Sequence, residues 1–281
     1  MLCTAHRCIK IRSDSASSPR QRYKGRSGLS LHSQESNGHI DWRVWRIRTA
    51  EFLSKLISLL HEDLANAKEA KGENMVLELP TDTHFRLDMD VCLTCNSCEY
   101  LRSKVELYHH LSVEVGTNQE GVEEQWSIGV GLQKFFQPEE REFRCEWCEE
   151  GKSVTQTLTI KSRPNALLVH LKCFTFHMHH GEMISWKSET LVKSENSVSL
   201  EPFTEKAAKG GDDTYKLIDV AHHIGPSADS GHYTADALWK EDNGDWREWV
   251  IFDDSSTSKT SIESILDDKK SRSNYLVLYG I

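Results

Sequence analysis

The sequence predicts an α+β protein with one N-terminal helix and a mainly antiparallel sheet. Apolar residues recur at helical spacing once, near residue 50, and later alternate with polar residues over strand-length segments. Turn-forming Gly, Ser and Asn separate most of these segments, an arrangement that favours consecutive antiparallel strands. Two Cys-x-x-Cys pairs lie between the helix and the later strands, and they predict a metal-bearing subdomain.

The composition is that of a soluble globular protein. The 281 residues are 38% hydrophobic and 27% charged. No apolar run approaches the ~18 residues that span a bilayer, so we expect no membrane association. The first 28 residues contain no apolar stretch of signal-peptide length, and we therefore expect a cytoplasmic location, a nuclear one or both.

Charge is distributed unevenly along the chain. Residues 1–48 carry ten Lys/Arg and three Asp/Glu, which leaves a charge of −16 on the rest of a chain whose net charge is −9. Residues 1–40 are rich in Ser and Arg without hydrophobic periodicity, and we predict that they form a disordered basic tail. An acidic body suits a basic partner, so we do not expect nucleic acid as a partner.

The helix and the first strands are predicted from periodicity. The segment AEFLSKLISLLHEDL forms an amphipathic helix that ends near Gly72. HFRLDMDVCL and LSVEV are predicted strands, and a short helix is expected around residues 132–136, before Pro138. The apolar face of the first helix consists of Phe52, Leu53, Leu56, Ile57, Leu60 and Leu64.

The second half of the chain is predicted to be mostly strands. NALLVHLKCFTF is a continuous apolar run, typical of one central strand that is covered on both faces. YKLIDVAHHIG, GHYTADALW, REWVIFDD and YLVLYGI follow as four further strands.

The paired cysteines predict a structural zinc site. A two-residue gap lets both thiolates of a turn face one tetrahedral Zn²⁺, and a structural site needs four ligands. The alternative is a set of buried or incidental thiols. The predicted ligands are Cys95, Cys98, Cys145 and Cys148.

The remaining cysteines and histidines are weaker candidates. Cys92 could compete as a ligand but is interpreted as a packed thiol, and Cys173, inside the apolar run, as a core residue. The histidines of HMHHG lack a carboxylate or thiol at useful spacing, so we expect no metal there.

A hairpin is predicted to bring a histidine and an aspartate together. Asn243-Gly244 is a strong hairpin signal. If these two residues form the loop, the residue numbers of each pair that face each other across the two strands add up to 487. Asp253 is then diagonal to His232 on the same face, whereas Asp254 points to the other face. A carboxylate beside an imidazole fixes its tautomer in catalytic sites, although a solvated surface pair is the plain alternative.

Several segments together resemble the ubiquitin-specific proteases, the papain-like cysteine deubiquitinases. They are AEFLSKLISLLHEDL, the two Cys-x-x-Cys pairs, LQKFFQPEEREFRCEWC, RPNALLVHLKCF, SADSGHYTADALW, WVIFDDSS and SNYLVLYG. They occur in the family's order and cover roughly residues 49–281. The resemblance implies a papain-like fold with a thumb, a mainly antiparallel palm and zinc-bearing fingers.

The resemblance assigns roles to residues around the hairpin. His232 matches the family's general base, Asp253 the third triad member and Asp254 a neighbouring acid. Gly231 and Tyr233 match positions beside the ubiquitin tail. The implied partners are ubiquitin or ubiquitinated proteins.

The resemblance also implies a division of residues 41–281, a partial protease domain, into three parts. These are a remnant of the thumb at 41–82, the fingers at 83–160 and the palm at 161–281. The four paired cysteines match the ligands of a structural Zn²⁺ in the fingers.

The chain departs from the family pattern at the nucleophile. The family's cysteine lies in a Gly-Asn-Thr-Cys-Tyr box before the thumb helix, and no such box occurs here. Cys3 and Cys8 lack its flanking residues. Arg48 stands where the family has an acidic residue, and Cys173 stands where the family's Leu-Lys-Arg-Phe motif has arginine.

Two functions follow from this combination. At the family level the expected activity is cysteine-dependent hydrolysis of ubiquitin isopeptide bonds, with a truncated domain and no recognisable nucleophile in this chain. The alternative is an inactive module that binds ubiquitin or another protein.

Overall fold

The computed structural model describes residues 49–70, 79–116, 126–148, 150–180, 182–188, 190–205, 214–240 and 246–281. The predicted tail at 1–40 and the predicted loop residues Asn243-Gly244 lie outside this part of the chain. No helix in these ranges is long and apolar enough to cross a bilayer.

Short strands dominate the described residues. The helices are α1 (Thr49–Ala70), α2 (Pro80–Phe85), α3 (Ile128–Phe135), α4 (Ile262–Ile265) and α5 (Asp268–Ser271). The strands are β1 (Leu87–Cys95), β2 (Leu101–Tyr108), β3 (Leu111–Glu114), β4 (Trp126–Ser127), β5 (Glu139–Glu142), β6 (Ser153–Ser162), β7 (Ala166–Lys172), β8 (Phe174–His179), β9 (Glu182–Lys187), β10 (Val192–Lys193), β11 (Ser197–Ser199), β12 (Thr214–Ser227), β13 (Ser230–Lys240), β14 (Trp246–Asp253), β15 (Ser256–Thr260) and β16 (Asn274–Gly280).

Most of the second half of the chain forms one large sheet. Its strand order is β15-β14-β13-β12-β16-β7-β3, and β11 pairs with β12. The β3–β7 pair is parallel, whereas the other neighbours are antiparallel. The predicted mainly antiparallel sheet is therefore present.

A second sheet carries the paired cysteines. Its order is β2-β1-β6-β5, and all its pairs are antiparallel. The segment between β2 and β5 leaves this sheet, because β3 joins the large sheet and β4 pairs with β10. The range 83–160 thus contains strands of both sheets, and the predicted subdomain boundaries stay predictions.

One hydrophobic core connects the two sheets. Leu87, Met89 and Ile160 of the four-stranded sheet share a buried cluster with Val169 and Val277 of the large sheet. Helix α3 packs into the same cluster, and its N-cap Ser127 accepts a hydrogen bond from the Val130 amide at 3.3 Å. The core therefore fixes the cysteine-bearing sheet to the large sheet through the start of β1 and the end of β6.

Helix α1 covers less of the protein than its apolar face predicts. Ile57 is buried, and Leu53 packs on a small cluster formed by Leu168, Cys173, Tyr275 and Leu276. In contrast Leu56, Leu60 and Leu64 are exposed. One edge of the predicted face is therefore in contact with the large sheet, whereas these three leucines are not covered by described residues.

The continuous run NALLVHLKCFTF is not one strand. It divides at Cys173 into β7, in the large sheet, and β8, which pairs with β9. The Cys173 amide donates to the carbonyl of Leu171 only two residues earlier, and this tight turn ends the strand. Hydrophobicity alone cannot reveal such a change of direction.

We expect Leu132→Ala in α3 to lower the free energy of unfolding by about 2–5 kcal/mol, because it leaves a cavity in the shared core. Gln133→Ala, at the exposed neighbouring position, should change it by less than about 0.5 kcal/mol. Urea unfolding of both variants measures the difference. Equal losses would contradict the position assigned to α3.

Candidate active site and metal centre

The register between β13 and β14 positions the predicted histidine and aspartate. Facing residues from Ala235–Phe252 to Trp239–Glu248 have numbers that sum to 487, as predicted. A register shift follows at Lys240, which faces Trp246. The shift lies at the far end of the hairpin from His232, so it does not disturb the geometry there.

His232 and Asp253 form a hydrogen-bonded pair. The distance between His232 Nε2 and Asp253 Oδ1 is 2.5 Å, and the side chains are 44% and 52% exposed. An ionised carboxylate only accepts, so Nε2 carries the proton and the neutral imidazole has its lone pair on Nδ1. The predicted pairing is confirmed, and Nδ1 is the nitrogen that can take up a proton.

The carboxylates make the imidazole more basic. The hydrogen bond to Asp253 raises the pKa of His232 above 6.5 and outweighs desolvation, which lowers it; the charges of Asp253 and Asp254 add smaller increases. A raised pKa strengthens the ring as a base, but also means that it is protonated at a higher pH than an isolated histidine.

Asp254 does not point away from the histidine, so the prediction from strand alternation is wrong there. Strand β14 ends at Asp253, which faces Ser256 across a two-residue turn. Asp254 lies in this turn with φ 50°, in the left-handed region, where strand alternation no longer applies. Its carboxylate lies within 4.8 Å of the ligand atoms of His232 and Asp253.

Close backbone packing holds the histidine strand in place. A Cβ on Gly231 would lie 2.3 Å from His223 Nε2 and 2.9 Å from the carbonyl oxygen of Ile224. The neighbouring Tyr233 is 41% exposed and contacts the His223 ring, with 4.8 Å between centroids. Gly231 and Tyr233 therefore flank His232 on a strand whose separation from β12 is set by the absence of a side chain.

A buried ion-pair cluster lies on the same strand as His232. Asp236 is 1% exposed and accepts hydrogen bonds on Oδ2 from Lys270 Nζ at 2.6 Å and from His222 Nε2 at 3.1 Å. Burial acts to raise the pKa of Asp236, but these two partners lower it below 3.8 overall. Sequence analysis missed this cluster, although strand alternation places Asp236 on the face of His232.

The four paired cysteines converge at the end of the four-stranded sheet. The distance between the sulfurs of Cys95 and Cys148 is 3.9 Å, and that between the sulfurs of Cys98 and Cys145 is 3.8 Å. Four sulfurs held tetrahedrally about 2.3 Å from a zinc ion are about 3.8 Å apart. The spacing therefore fits a tetrahedral metal ion.

Backbone amides around the cysteines donate hydrogen bonds that stabilise thiolates. Amides two residues after the first cysteine of each pair, in Ser97 and Trp147, donate to that cysteine's sulfur at 3.4 Å. Hydrogen bonds from the amides of Ser97 and Cys98 lower the pKa of Cys95 to about 6. The hydrogen bond from the Tyr100 amide acts to lower the pKa of Cys98, but desolvation and the neighbouring thiols outweigh it, so that this pKa is instead raised. A Cβ on Gly151 would lie 2.6 Å from the sulfur of Cys95, so only glycine leaves the cluster room to close.

No thiol accompanies His232 within the described ranges. In those residues, groups of three or more potential ligands converge only at the four cysteines and at His232, Asp253 and Asp254. Cys92 belongs to neither group and donates to Asp90 at 3.5 Å. Cys173 is buried in a hydrophobic cluster, which confirms a core thiol, and burial raises its pKa to about 11. Cys3 and Cys8 lie outside the described residues.

The family model for ubiquitin carboxyl-terminal hydrolases matches residues 48–279. The chain belongs to the ubiquitin carboxyl-terminal hydrolase family. The resemblance found in the sequence is thereby confirmed, and it extends over both sheets and the His232–Asp253 hairpin.

Curated relatives match over part of their length. Ubiquitin carboxyl-terminal hydrolase 25 of Arabidopsis thaliana is 27% identical over 234 residues, which are 78% of this chain and 32% of that protein. Ubiquitin carboxyl-terminal hydrolase nonstop of Drosophila melanogaster is 25% identical over 194 residues, 66% of this chain and 36% of that protein. The chain spans about a third of these relatives.

Solved structures share the fold. A chain in the SAGA Ubp8/Sgf11/Sus1/Sgf73 DUB module bound to ubiquitin aldehyde is 20% identical, with a TM-score of 0.63 over 85% of this chain and 52% of that chain. In the structure of the Ubp8-Sgf11-Sgf73-Sus1 SAGA DUB module the TM-score is 0.60, at 22% identity, over 83% of this chain and 48% of that chain. The papain-like fold predicted from the sequence is therefore present in its main features.

We expect the His232 ring to titrate with a midpoint above 6.5, followed by NMR of imidazole-labelled protein. Asp253→Asn should lower the midpoint most, because it removes the hydrogen bond and a charge together. Asp254→Asn, the matched control, removes only a nearby charge and should lower it less. A larger shift from Asp254→Asn would mean that Asp254 is the principal partner.

Proposed function

We propose that this chain provides the general base and its orienting carboxylate for a cysteine-dependent ubiquitin isopeptide hydrolase. The observation that carries the proposal is the 2.5 Å contact between His232 and Asp253 on an accessible hairpin. Family membership supports the reaction class. Asp254, close to the pair, adds negative charge that favours the imidazolium form.

The geometry supports a definite path for the protons. Asp253 holds the Nε2 proton, so Nδ1 accepts the proton of a cysteine thiol placed beside it. The thiolate attacks the isopeptide carbonyl, and the imidazolium then donates its Nδ1 proton to the departing lysine amine. A water molecule, deprotonated in turn by Nδ1, releases the ubiquitin carboxylate from the thioester.

The thiol in this scheme is not among the described cysteines, which either cluster together or pack elsewhere. We propose that these 281 residues do not hydrolyse ubiquitin conjugates by themselves. The same observation favours a second function, an inactive module that binds ubiquitin. In both cases Gly231 and Tyr233, beside His232, would contact the ubiquitin tail.

We also propose that the four cysteines bind one structural zinc ion, which the sulfur spacing and the room left by Gly151 support. Bound there, zinc would tie the turn after β1 to the segment before β6. The four-stranded sheet would then act as the zinc-bearing fingers, the large sheet as the palm and α1 as the remaining thumb. Cytosol or nucleus, where thiols stay reduced, would be the compartment.

Purified protein is expected to contain one zinc ion per chain by metal analysis. Cys145→Ser should abolish binding and unfold the four-stranded sheet, because the binding energy of a structural zinc is also folding energy. Cys92→Ser is the matched control, since Cys92 lies on β1 outside the cluster, and it should retain the metal. Zinc loss in both variants, or in neither, would contradict the proposed zinc site.

Hydrolysis of a fluorogenic ubiquitin conjugate should be undetectable with this chain. Loss of a nucleophile typically costs on the order of a millionfold in kcat, or roughly 8 kcal/mol of barrier. NMR titration of labelled ubiquitin should show binding, weakened by Tyr233→Ala. The control Trp239→Ala alters another exposed aromatic residue on β13 and should leave binding unchanged.

Two results would overturn these proposals separately. Turnover that disappears in Cys3→Ser or Cys8→Ser and in His232→Ala would reveal a nucleophile in the N-terminal residues. Absence of any ubiquitin shift up to about 1 mM would reject ubiquitin as the ligand, since that limit corresponds to a binding free energy weaker than about −4 kcal/mol.

A further inference from the structure

Strand β2 forms an edge of the four-stranded sheet. Among the described residues it pairs with β1 alone, over eight consecutive residue pairs without a register shift. It contains no proline or glycine. A regular edge of this kind presents unpaired backbone N–H and C=O groups to another strand.

The direction of these backbone groups follows from one hydrogen bond. The Cys95 amide donates to the Tyr100 carbonyl at 2.9 Å, so Tyr100 directs its backbone polar groups at β1. In an antiparallel ladder the direction alternates along a strand. The residues that direct theirs away from β1 are therefore Leu101, Ser103, Val105 and Leu107.

The same residues place apolar side chains at the edge. Leu101, Val105 and Leu107 are 57%, 51% and 48% exposed, and strand alternation puts them on one face of the sheet. On the other face Arg102, Lys104 and Glu106 alternate with them; Arg102 pairs with Glu146, and 3.4 Å separates Lys104 Nζ from Glu106 Oε1. The edge thus combines an apolar row with a charged row in which Lys104 and Glu106 have opposite charges two residues apart.

We infer that β2 pairs antiparallel with β2 of a second copy of this chain, with Val105 facing its own counterpart. In this register each Lys104 faces Glu106 of the other copy, which forms two symmetric ion pairs. Ser103 faces Leu107, so the outward backbone groups of both strands meet. The exposed leucine and valine side chains of the two copies become neighbours on one face.

The charges select this register over its neighbours. A shift by one residue per strand in one direction pairs Arg102, which Glu146 already holds, with Glu106 of the other copy, but it places Lys104 opposite its own counterpart. The opposite shift places Glu106 opposite its own counterpart. Like charges directly opposite each other destabilise a strand pair. If the facing residue numbers summed to an odd number, backbone groups directed away from β1 in one copy would face groups directed toward β1 in the other. Such registers form no ladder of hydrogen bonds.

The resulting assembly is a continuous eight-stranded sheet made from two four-stranded sheets. A single pair of eight-residue strands buries little area compared with stable dimers, so the association is reversible and depends on concentration. It does not involve His232 or the sulfur atoms of the cysteine cluster. Dimerisation can therefore be tested with the His232 pair and the cysteine cluster left intact.

The test is sedimentation of the full chain across a concentration series up to about 200 µM, a range that detects dissociation constants of about 200 µM or tighter. The wild-type chain should shift reversibly from monomer to dimer. Lys104→Glu should lower the association constant about tenfold, because two attractive cross-strand pairs become repulsive. Lys104→Glu combined with Glu106→Lys should restore association to within about threefold, since the opposite charges face each other again.

Val105→Pro provides a backbone test. Its N–H points away from β1, so proline preserves the β1–β2 ladder while removing a hydrogen bond to the second copy. Association should be lost with zinc content and circular dichroism unchanged. A wild-type chain that remains monomeric throughout, association unaffected by Lys104→Glu, or failure of the charge swap to restore it would each overturn the inference.

Discussion

A hydrogen-bonded register between two strands brings together the two groups of the candidate active site. His232 and Asp253 are 21 positions apart in the chain, and they meet because β13 and β14 pair so that facing residues sum to 487. A slip of one residue would turn the carboxylate to the other face of the sheet. The rest of the large sheet supports this register, with β12 on one side of the hairpin and β15 on the other.

Much of this arrangement could be predicted because it depends on local chemistry. Strand alternation and the Asn243-Gly244 signal were sufficient to place Asp253 beside His232. The spacing of Cys95, Cys98 and their partners was sufficient to predict convergence of the sulfurs, although not which turn residue would make room for it. Gly151 became recognisable only once its distance from Cys95 was known.

Other features depend on positions that no short pattern encodes. Asp254 left the predicted face because a two-residue turn imposes a left-handed conformation, which aspartate tolerates better than most residues. Asp236 meets Lys270, 34 positions later, only after α5 folds back against β13. The apolar run divides at Cys173 because its second half pairs with β9, a partner that lies later in the chain and that the run itself does not reveal.

The contact of Gly225 and Gly231 limits how this region can diversify. A Cβ at Gly225 would lie 2.7 Å from the Cα of Gly231, and one at Gly231 would meet the ring of His223. Single substitutions at either glycine therefore force the strands apart, whereas a smaller residue at position 223 relieves only one of these clashes. Each glycine is thus expected to resist substitution on its own. Descendants of this sequence would keep both or rebuild the whole β12–β13 turn, together with the histidine that it presents.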